Sequence, residues 1–164
     1  MKKANSGILI VAASVLLGYS VTSLEAQSGG SVGPSLSDIG VTRGICVVLG
    51  DAGCELSVRL ARQSELMIYL QLPDARDVQN ARRVADEAKL YGTRIFIDAG
   101  ALTGLHLADN LADVLVAVGQ GASVPQAEAL RVLRPGGKAL LGGKVLLKPF
   151  PKGVDDWTHP YHGP

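Results

Sequence analysis

Few side chains of this sequence are both chemically reactive and placed where they could act in catalysis or bind a metal. His106 lies between Leu105 and Leu107 in a predicted loop, and an imidazole there could accept a proton as a general base. The same position could equally make the ring a partly packed, hydrogen-bonded structural residue. His159 and His162 have the spacing of two zinc or copper ligands, but they lack a third, so we expect no metal site.

A glycine-containing segment is the second candidate. Residues 49–56 read LGDAGCEL and follow an apolar run, so a strand would turn into a helix there. Glycine lets a backbone turn sharply and approach a ligand closely. The candidate ligand contacts of this segment are Gly50, Asp51, Ala52 and Gly53. The simpler interpretation, a tight strand-to-helix connection without a ligand, stays open.

The sequence has two cysteines, which we interpret as structural. Cys46 lies in a predicted strand and Cys54 opens the helix that follows it. Extended residues between them would hold the two sulfur atoms beyond disulfide distance. Both are therefore predicted to be buried, small apolar residues.

Alternating strands and helices must position these residues. Apolar runs predict strands at residues 45–49, 66–70, 94–97, 113–118 and 138–141, with at most a short sixth at 145–147. Helical spacing predicts helices at residues 55–63 and 75–90, and a third that starts at Pro125 and is stopped by Pro135. This alternation indicates an α/β fold, Rossmann-like and doubly wound, with a mostly parallel sheet of about five to six strands. A ligand would bind at the carboxyl ends of the strands, beside the first one.

The N-terminus predicts export to the periplasm or the extracellular space. Lys2 and Lys3 precede an uncharged apolar run at residues 7–17, which is the layout of a signal peptide in residues 1–26. Cleavage would follow Ala26, and an uncleaved signal would anchor the protein in a membrane. Residues 27–43 are predicted to be a flexible Gly/Ser-rich linker. The formal net charge of +1 gives no sign of a nucleic-acid partner.

Two segments resemble a known family. Residues 124–141, VPQAEALRVLRPGGKALL, resemble the helix, LRPGG turn and strand of class I S-adenosylmethionine-dependent methyltransferases. Residues 105–117, LHLADNLADVLVA, resemble the loop and fourth strand of that family, where Asp109, Asn110 and Asp113 match common residues. The resemblance covers residues 44–141. It implies a methyltransferase-like Rossmann domain at residues 44–148 with S-adenosylmethionine as its cofactor.

Three positions depart from the family pattern. The family has an acid before its glycine loop, a ribose-binding acid after its second strand, and a Gly-Asp pair near the adenine after its third strand. Val48, Gln71 and Ala101 stand at the three acid positions, while Gly50 and Gly100 keep their glycines. Losing two hydrogen bonds to charged groups, at about 1.5 to 3 kcal/mol each, would weaken binding about a hundredfold or more.

The C-terminal residues 149–164 form a Pro- and aromatic-rich tail. Residues 155–159, DDWTH, resemble the lead-in to quinoprotein-type (PQQ-like) β-propellers of exported bacterial proteins, in which a methyltransferase-like domain can precede the propeller. No propeller follows in this sequence. The alternative is a tail that packs Trp157 and Tyr161 on the domain.

The sequence therefore predicts an exported methyltransferase-like domain that binds its cofactor poorly and serves as a binding or scaffold module. The alternative is an active S-adenosylmethionine-dependent methyltransferase with an atypical pocket of Gly50, Gly53 and Gln71, in which His106 is the base. A bulky residue at Gly50 should then abolish activity and leave a scaffold largely functional. We expect a protein partner, or a second copy of the chain, at an exposed sheet edge or at the tail.

Overall fold

The computed structural model describes residues 33–153. Its helices are α1 (Leu36–Ile39), α2 (Glu55–Gln63), α3 (Ala75–Glu87) and α4 (Gln126–Val132), with a 3-10 helix at Gly119–Ser123. Its strands are β1 (Arg43–Leu49), β2 (Glu65–Leu72), β3 (Ile95–Ala99), β4 (Ala112–Ala117), β5 (Leu133–Leu141) and β6 (Lys144–Leu147). The predicted signal peptide, residues 27–32 of the predicted linker and residues 154–164 of the predicted tail lie outside the described residues, and with them Trp157, His159, Tyr161 and His162.

Within residues 33–153 the strands form one sheet in the order β3-β2-β1-β4-β5-β6. Strands β1 to β5 run parallel, and β6 pairs antiparallel with β5. The chain winds outward from β1 through β2 and β3, then crosses to the other side of β1 to form β4. This order confirms the predicted doubly wound, mostly parallel α/β sheet, and it places the switch point between β1 and β4.

Alternate side chains of the strands enter two cores, one on each face of the sheet. Cys46 and Val48 of β1 belong to the core under α2 and α3, whereas Val47 and Leu49 belong to the core under α4. All four side chains are fully buried. A parallel strand covered on both faces reads as a continuous apolar run, which is why β1 was predictable. The prediction that Cys46 and Cys54 are buried and unpaired is confirmed.

Helix α3 begins at a side-chain cap and ends earlier than its sequence predicts. Asp74 Oδ1 accepts a hydrogen bond from Arg76 N at 2.7 Å, as expected of an N-cap. The predicted helix of residues 75–90 stops at Glu87, because Lys89 adopts a left-handed conformation with φ +61°. The apolar residues keep their helical spacing up to residue 90, so the sequence did not predict that the helix ends at Glu87.

The LRPGG segment is not a turn between α4 and a strand at residue 138, so this prediction is wrong. Helix α4 ends at Val132 and β5 begins directly at Leu133. Leu133 pairs with Ala112 of β4 and Lys138 pairs with Val114, so the segment between them bulges out of an otherwise continuous strand. The bulge requires glycine at Gly136, where φ is +76°.

A short helix lies inside the predicted linker of residues 27–43. Ser35 caps α1, because its Oγ accepts a hydrogen bond from Asp38 N while its own backbone N donates to the Asp38 carboxylate. Ile39 at the end of α1 is 1% exposed and packs in the core under α2 and α3. Among residues 33–153, every helix is too short or too polar to cross a membrane.

Candidate functional site

The loop after β1 turns so tightly that its first residue must be glycine. Gly50 has φ +82°, and a side chain there would meet the backbone of Val118 and Gly121. These two residues follow β4, and Val118 N donates a hydrogen bond to Leu49 O at 2.9 Å. The chain's own backbone therefore occupies the space beside Gly50 at the switch point. This packing explains the glycine without any ligand.

Asp51 places a carboxylate at the N-terminus of α2. Its Oδ2 accepts hydrogen bonds from the backbone N and the Oγ of Ser57, both at 2.8 Å, and the residue is 6% exposed. The unpaired N–H groups and the dipole of a helix favour an anion at this end. The rest of the loop is held through Ala52 O, which accepts from Asn80 Nδ2 at 3.2 Å, while Gly53 is exposed.

Gln71 at the end of β2 is fully buried, and its amide is fully engaged. Nε2 donates to Ala101 O at 2.8 Å and to Gly104 O at 3.1 Å. Oε1 accepts from His106 N at 3.0 Å and lies 3.2 Å from the Tyr69 hydroxyl. An amide has two hydrogens to donate and one oxygen to accept, and all of them have partners within the chain. Gln71 therefore holds the loop after β3 against the end of β2.

Gly100 and Ala101 belong to the same arrangement. A Cβ on Gly100 would lie 2.7 Å from Gln71 Nε2 and 2.8 Å from His106 Cε1, which is too close. Ala101 contributes its carbonyl oxygen to Gln71, while the residue itself is exposed. The structure thus brings four of the predicted site residues together at the carboxyl ends of β2 and β3: Gln71, Gly100, Ala101 and His106.

Sequence reasoning missed two residues of this cluster. Asp98 Oδ2 lies 2.8 Å from His106 Nδ1 and 3.3 Å from the Tyr69 hydroxyl. The predicted third strand ended at residue 97, whereas β3 continues to Ala99 and so includes Asp98. The sequence could have identified Asp98, because it is an ionisable residue at the carboxyl end of an apolar strand, where ligands bind in such sheets. We refer to Tyr69, Gln71, Asp98 and His106 as the polar cluster.

The charges of the polar cluster follow from its hydrogen bonds. The bond from His106, together with those from Ala99 N and the Tyr69 hydroxyl, holds the pKa of Asp98 below its usual value against a smaller effect of burial. Burial and the neighbouring Asp98 carboxylate raise the pKa of Tyr69 to about 12. At neutral pH the cluster therefore contains a carboxylate and a neutral phenol. The side chain of His106 is 53% exposed, so the ring is open to solvent on one side.

The aspartates that match the family loop have structural partners. Asp113 Oδ2 accepts from Ile45 N at 2.8 Å, and its Oδ1 pairs with Arg134 Nε at 2.6 Å, at the amino end of the sheet. Asp109 pairs with Arg131 at 2.6 Å. No group of three or more His, Cys, Asp or Glu side chains in residues 33–153 could hold a metal ion.

A cavity of about 650 Å³ lies beside the carboxyl ends of β4 and β5 rather than at the predicted cofactor residues. Pro34, Val118, Leu140 and Val145 are among its lining residues, and it is mostly apolar. Neither the loop after β1 nor the polar cluster lines it.

Methyltransferases are among the solved structures with a similar fold. A protein of Methanococcus maripaludis, assigned as an S-adenosyl-L-methionine-dependent methyltransferase, matches with a TM-score of 0.57 at 29% identity, over 63% of this chain and 49% of that one. An S-adenosylmethionine-dependent methyltransferase from Aquifex aeolicus matches with a TM-score of 0.54 at 17% identity, over 63% and 58% of the two chains. The domain is methyltransferase-like.

A third neighbour of this methyltransferase-like domain carries ligands. Geranyl diphosphate C-methyltransferase from Streptomyces coelicolor, solved with Mg²⁺, geranyl diphosphate and S-adenosyl-L-homocysteine, matches with a TM-score of 0.53 at 14% identity, over 67% of this chain and 39% of that one. The matches span less than two thirds of each of these three neighbours. Neither a protein-family model nor a curated protein sequence matches the chain.

Proposed function

We propose that this protein is an exported methyltransferase-like domain that has lost efficient cofactor binding and acts as a binding or scaffold module. The observation that carries the proposal is the engaged amide of Gln71. Gln71 stands where the resemblance places the ribose-binding acid. Turning its amide toward a ligand would break two or more internal hydrogen bonds, at about 0.5 to 1.5 kcal/mol each.

The other two acid positions offer no substitute. Val48 is fully buried in the core under α2 and α3, and Ala101 has only a methyl group. A hydrogen bond to a charged group contributes about 1.5 to 3 kcal/mol, and about 1.4 kcal/mol corresponds to a tenfold change in affinity. Loss of two such bonds would therefore move a micromolar dissociation constant to about a tenth of a millimolar or weaker.

The charge at α2 adds a further obstacle. The methionine part of S-adenosylmethionine carries a carboxylate, for which a helix N-terminus is a natural binding place. In this chain Asp51 already occupies the N-terminus of α2. A second carboxylate there would be repelled by the first.

The predicted export supports the same proposal. S-adenosylmethionine is made and used in the cytoplasm, so an exported enzyme would need a supply of cofactor outside it. A binding module has no such requirement.

Calorimetry tests the proposal. Purified full-length protein is titrated with S-adenosylmethionine and with S-adenosylhomocysteine at concentrations that detect millimolar dissociation constants. We expect no measurable binding by protein that is folded according to its circular dichroism. Micromolar binding of either compound would refute the loss of cofactor binding.

An active methyltransferase is the second candidate, and the pair formed by His106 and Asp98 favours it. The Asp98 carboxylate lies against Nδ1 of the ring and orients it, which leaves the other ring nitrogen to act as a general base toward an oxygen or nitrogen acceptor. This candidate predicts transfer of a labelled methyl group from S-adenosylmethionine to a fraction of cell extract. It also predicts that His106→Gln and Asp98→Asn both abolish that transfer, so transfer at an unchanged rate in either variant would exclude this role.

A further inference from the structure

An exposed apolar surface lies on the α4 side of the sheet, across β1, β2 and β3. We call it the apolar patch, and its residues are Ile45, Met67, Tyr69, Phe96, Leu107 and Leu111. The exposed fractions of Met67, Phe96 and Leu111 are 38%, 39% and 41%. The patch encloses a shallow cavity of about 200 Å³ with a wholly apolar lining. Contiguous exposed apolar surface of this kind is typical of a docking site.

The patch is exposed because this part of the sheet lacks a covering helix. In the described chain, residues 100–111 connect β3 to β4 without any helix, although parallel strands are usually joined by one. Helix α4 packs against β5, while Met67 in the first half of β2 and Phe96 in the first half of β3 stay exposed. Parallel sheets are normally covered on both faces, so a further segment is expected over the patch.

Lys148, five residues before the end of the described chain, lies next to one edge of the patch. Lys148 Nζ donates to Asn110 Oδ1 at 2.6 Å, and Asn110 directly precedes Leu111. The backbone of Lys148 is fixed there as well, because its carbonyl accepts from Gly136 N at 2.8 Å. Trp157 follows Lys148 by nine residues, which can span up to about 30 Å. The residues after Gly153 can therefore reach every part of the patch.

We propose that residues 154–164 pack on the apolar patch, with Trp157 and Tyr161 covering it. Leu111 and Phe96 are separated by three strand spacings, because β4, β1, β2 and β3 are neighbours in that order. Three spacings amount to about 14 Å. Four residues of extended chain, the separation of Trp157 from Tyr161, span about 13 Å. The two aromatic side chains thus match the width of the patch.

The tether favours this occupant over a second copy of the chain. A segment attached a few residues from the patch is present at a millimolar effective concentration, whatever the protein concentration. The packing does not require a bound cofactor, because Met67 and Phe96 lie in the first halves of β2 and β3, and Tyr69 is the one residue that the patch shares with the polar cluster. A negative calorimetric result would therefore leave this proposal unaffected.

Tryptophan fluorescence tests the proposal, because Trp157 is the single tryptophan of the sequence. In the full chain at low micromolar concentration, we expect blue-shifted emission and protection from acrylamide. Leu111→Lys and Phe96→Lys should both shift the emission to the red and raise the quenching constant several-fold. Gln79→Lys, at an exposed residue of α3 on the opposite face of the sheet, is the control and should change neither.

Methionine oxidation gives a second measurement in which the patch itself is not altered. Trp157→Ala changes only the tail, and it should increase the rate at which peroxide oxidises Met67, measured by mass spectrometry, several-fold. Solvent-exposed Trp157 emission in the full chain, or Met67 oxidation at the same rate in wild type and Trp157→Ala, would overturn the proposal. Protection of Trp157 that disappears on dilution would also overturn it, because it would show docking between two copies.

Discussion

Gln71 differs from an aspartate or a glutamate in one respect that matters at its position: its amide can donate hydrogen bonds. Two of its partners are the carbonyl oxygens of Ala101 and Gly104, which need a donor. An ionised acid could not bind either of them. Gln71 departs from the family pattern, and its amide is what holds the loop after β3 against β2.

Gln71→Glu should destabilise the fold without restoring cofactor binding. The carboxylate would face two carbonyl oxygens in a buried place, so we expect the free energy of unfolding to fall by about 2 to 4 kcal/mol. Urea denaturation measures this change. Gln79→Glu is the matched control, because Gln79 is exposed on α3, and it should have almost no effect. An unchanged stability, or a gain of S-adenosylmethionine binding, would contradict this account of Gln71.

Asp98 should make the stability of the protein depend on pH in the acid range. Because the folded protein lowers the pKa of Asp98, its contribution is complete above the ordinary pKa of about 4 and disappears as the pH falls through the lowered value. Wild type should exceed Asp98→Asn in stability above about pH 5 and lose that advantage below the lowered pKa. The carboxylate is 46% exposed, so the difference should be within about 1 kcal/mol.

Urea denaturation of both proteins between pH 3 and pH 7 checks the prediction for Asp98. His106→Gln serves as a second variant, since it removes the main cause of the lowered pKa while it keeps a neutral polar group. A difference between wild type and Asp98→Asn that is constant across this range would argue against the stabilising role of the pair.

At the scale of elements, the connection between β3 and β4 is held by side chains from its neighbours. Arg131 of α4 donates to Leu105 O at 3.0 Å and to Leu107 O at 2.9 Å, and it pairs with Asp109 and Glu128. These bonds supply partners for carbonyl groups that a helix would otherwise pair within itself. With Gln71 on the other side, they fix the loop that carries His106.

Because of the connection from β1 to α2, a substitution at Gly50 tests folding and cannot distinguish an enzyme from a scaffold. The sequence suggested that a bulky residue there would abolish activity and leave a scaffold functional. Because φ is +82° and a side chain would meet the backbone of Val118 and Gly121, Gly50→Val should instead prevent folding. Gly53→Ala is the matched control, since its nearest neighbour would be Glu55 at 3.7 Å. Soluble yield and circular dichroism should separate the two variants, and a well-folded Gly50→Val would contradict the structural role.

At the scale of the whole molecule, the sheet could be predicted from the sequence and the polar cluster could not. The strands were predictable because side chains such as Val47 and Val48, buried on opposite faces, leave a continuous apolar run. Gln71 and His106 were identified as candidates only singly. The bond between them joins residues 35 positions apart, and local sequence patterns do not report such contacts. The bulge in β5 was missed for the same reason, because it follows from pairing with β4.

The outer strand β6 is where we expect a second copy of the chain to bind. It is an edge strand, and Val145 and Leu147 on it are 59% and 67% exposed. Unpaired backbone groups beside exposed apolar side chains favour strand pairing between molecules, whereas charge on an edge opposes it.

Light scattering should therefore detect a dimer that dissociates on dilution. The double variant Val145→Lys and Leu147→Lys should remain a monomer at concentrations where wild type is dimeric. The double variant Arg62→Lys and Arg76→Lys, on exposed residues of α2 and α3, should behave as wild type. If the wild type is monomeric at every concentration, β6 does not bind a second copy of the chain. The expected partner would then be a different protein.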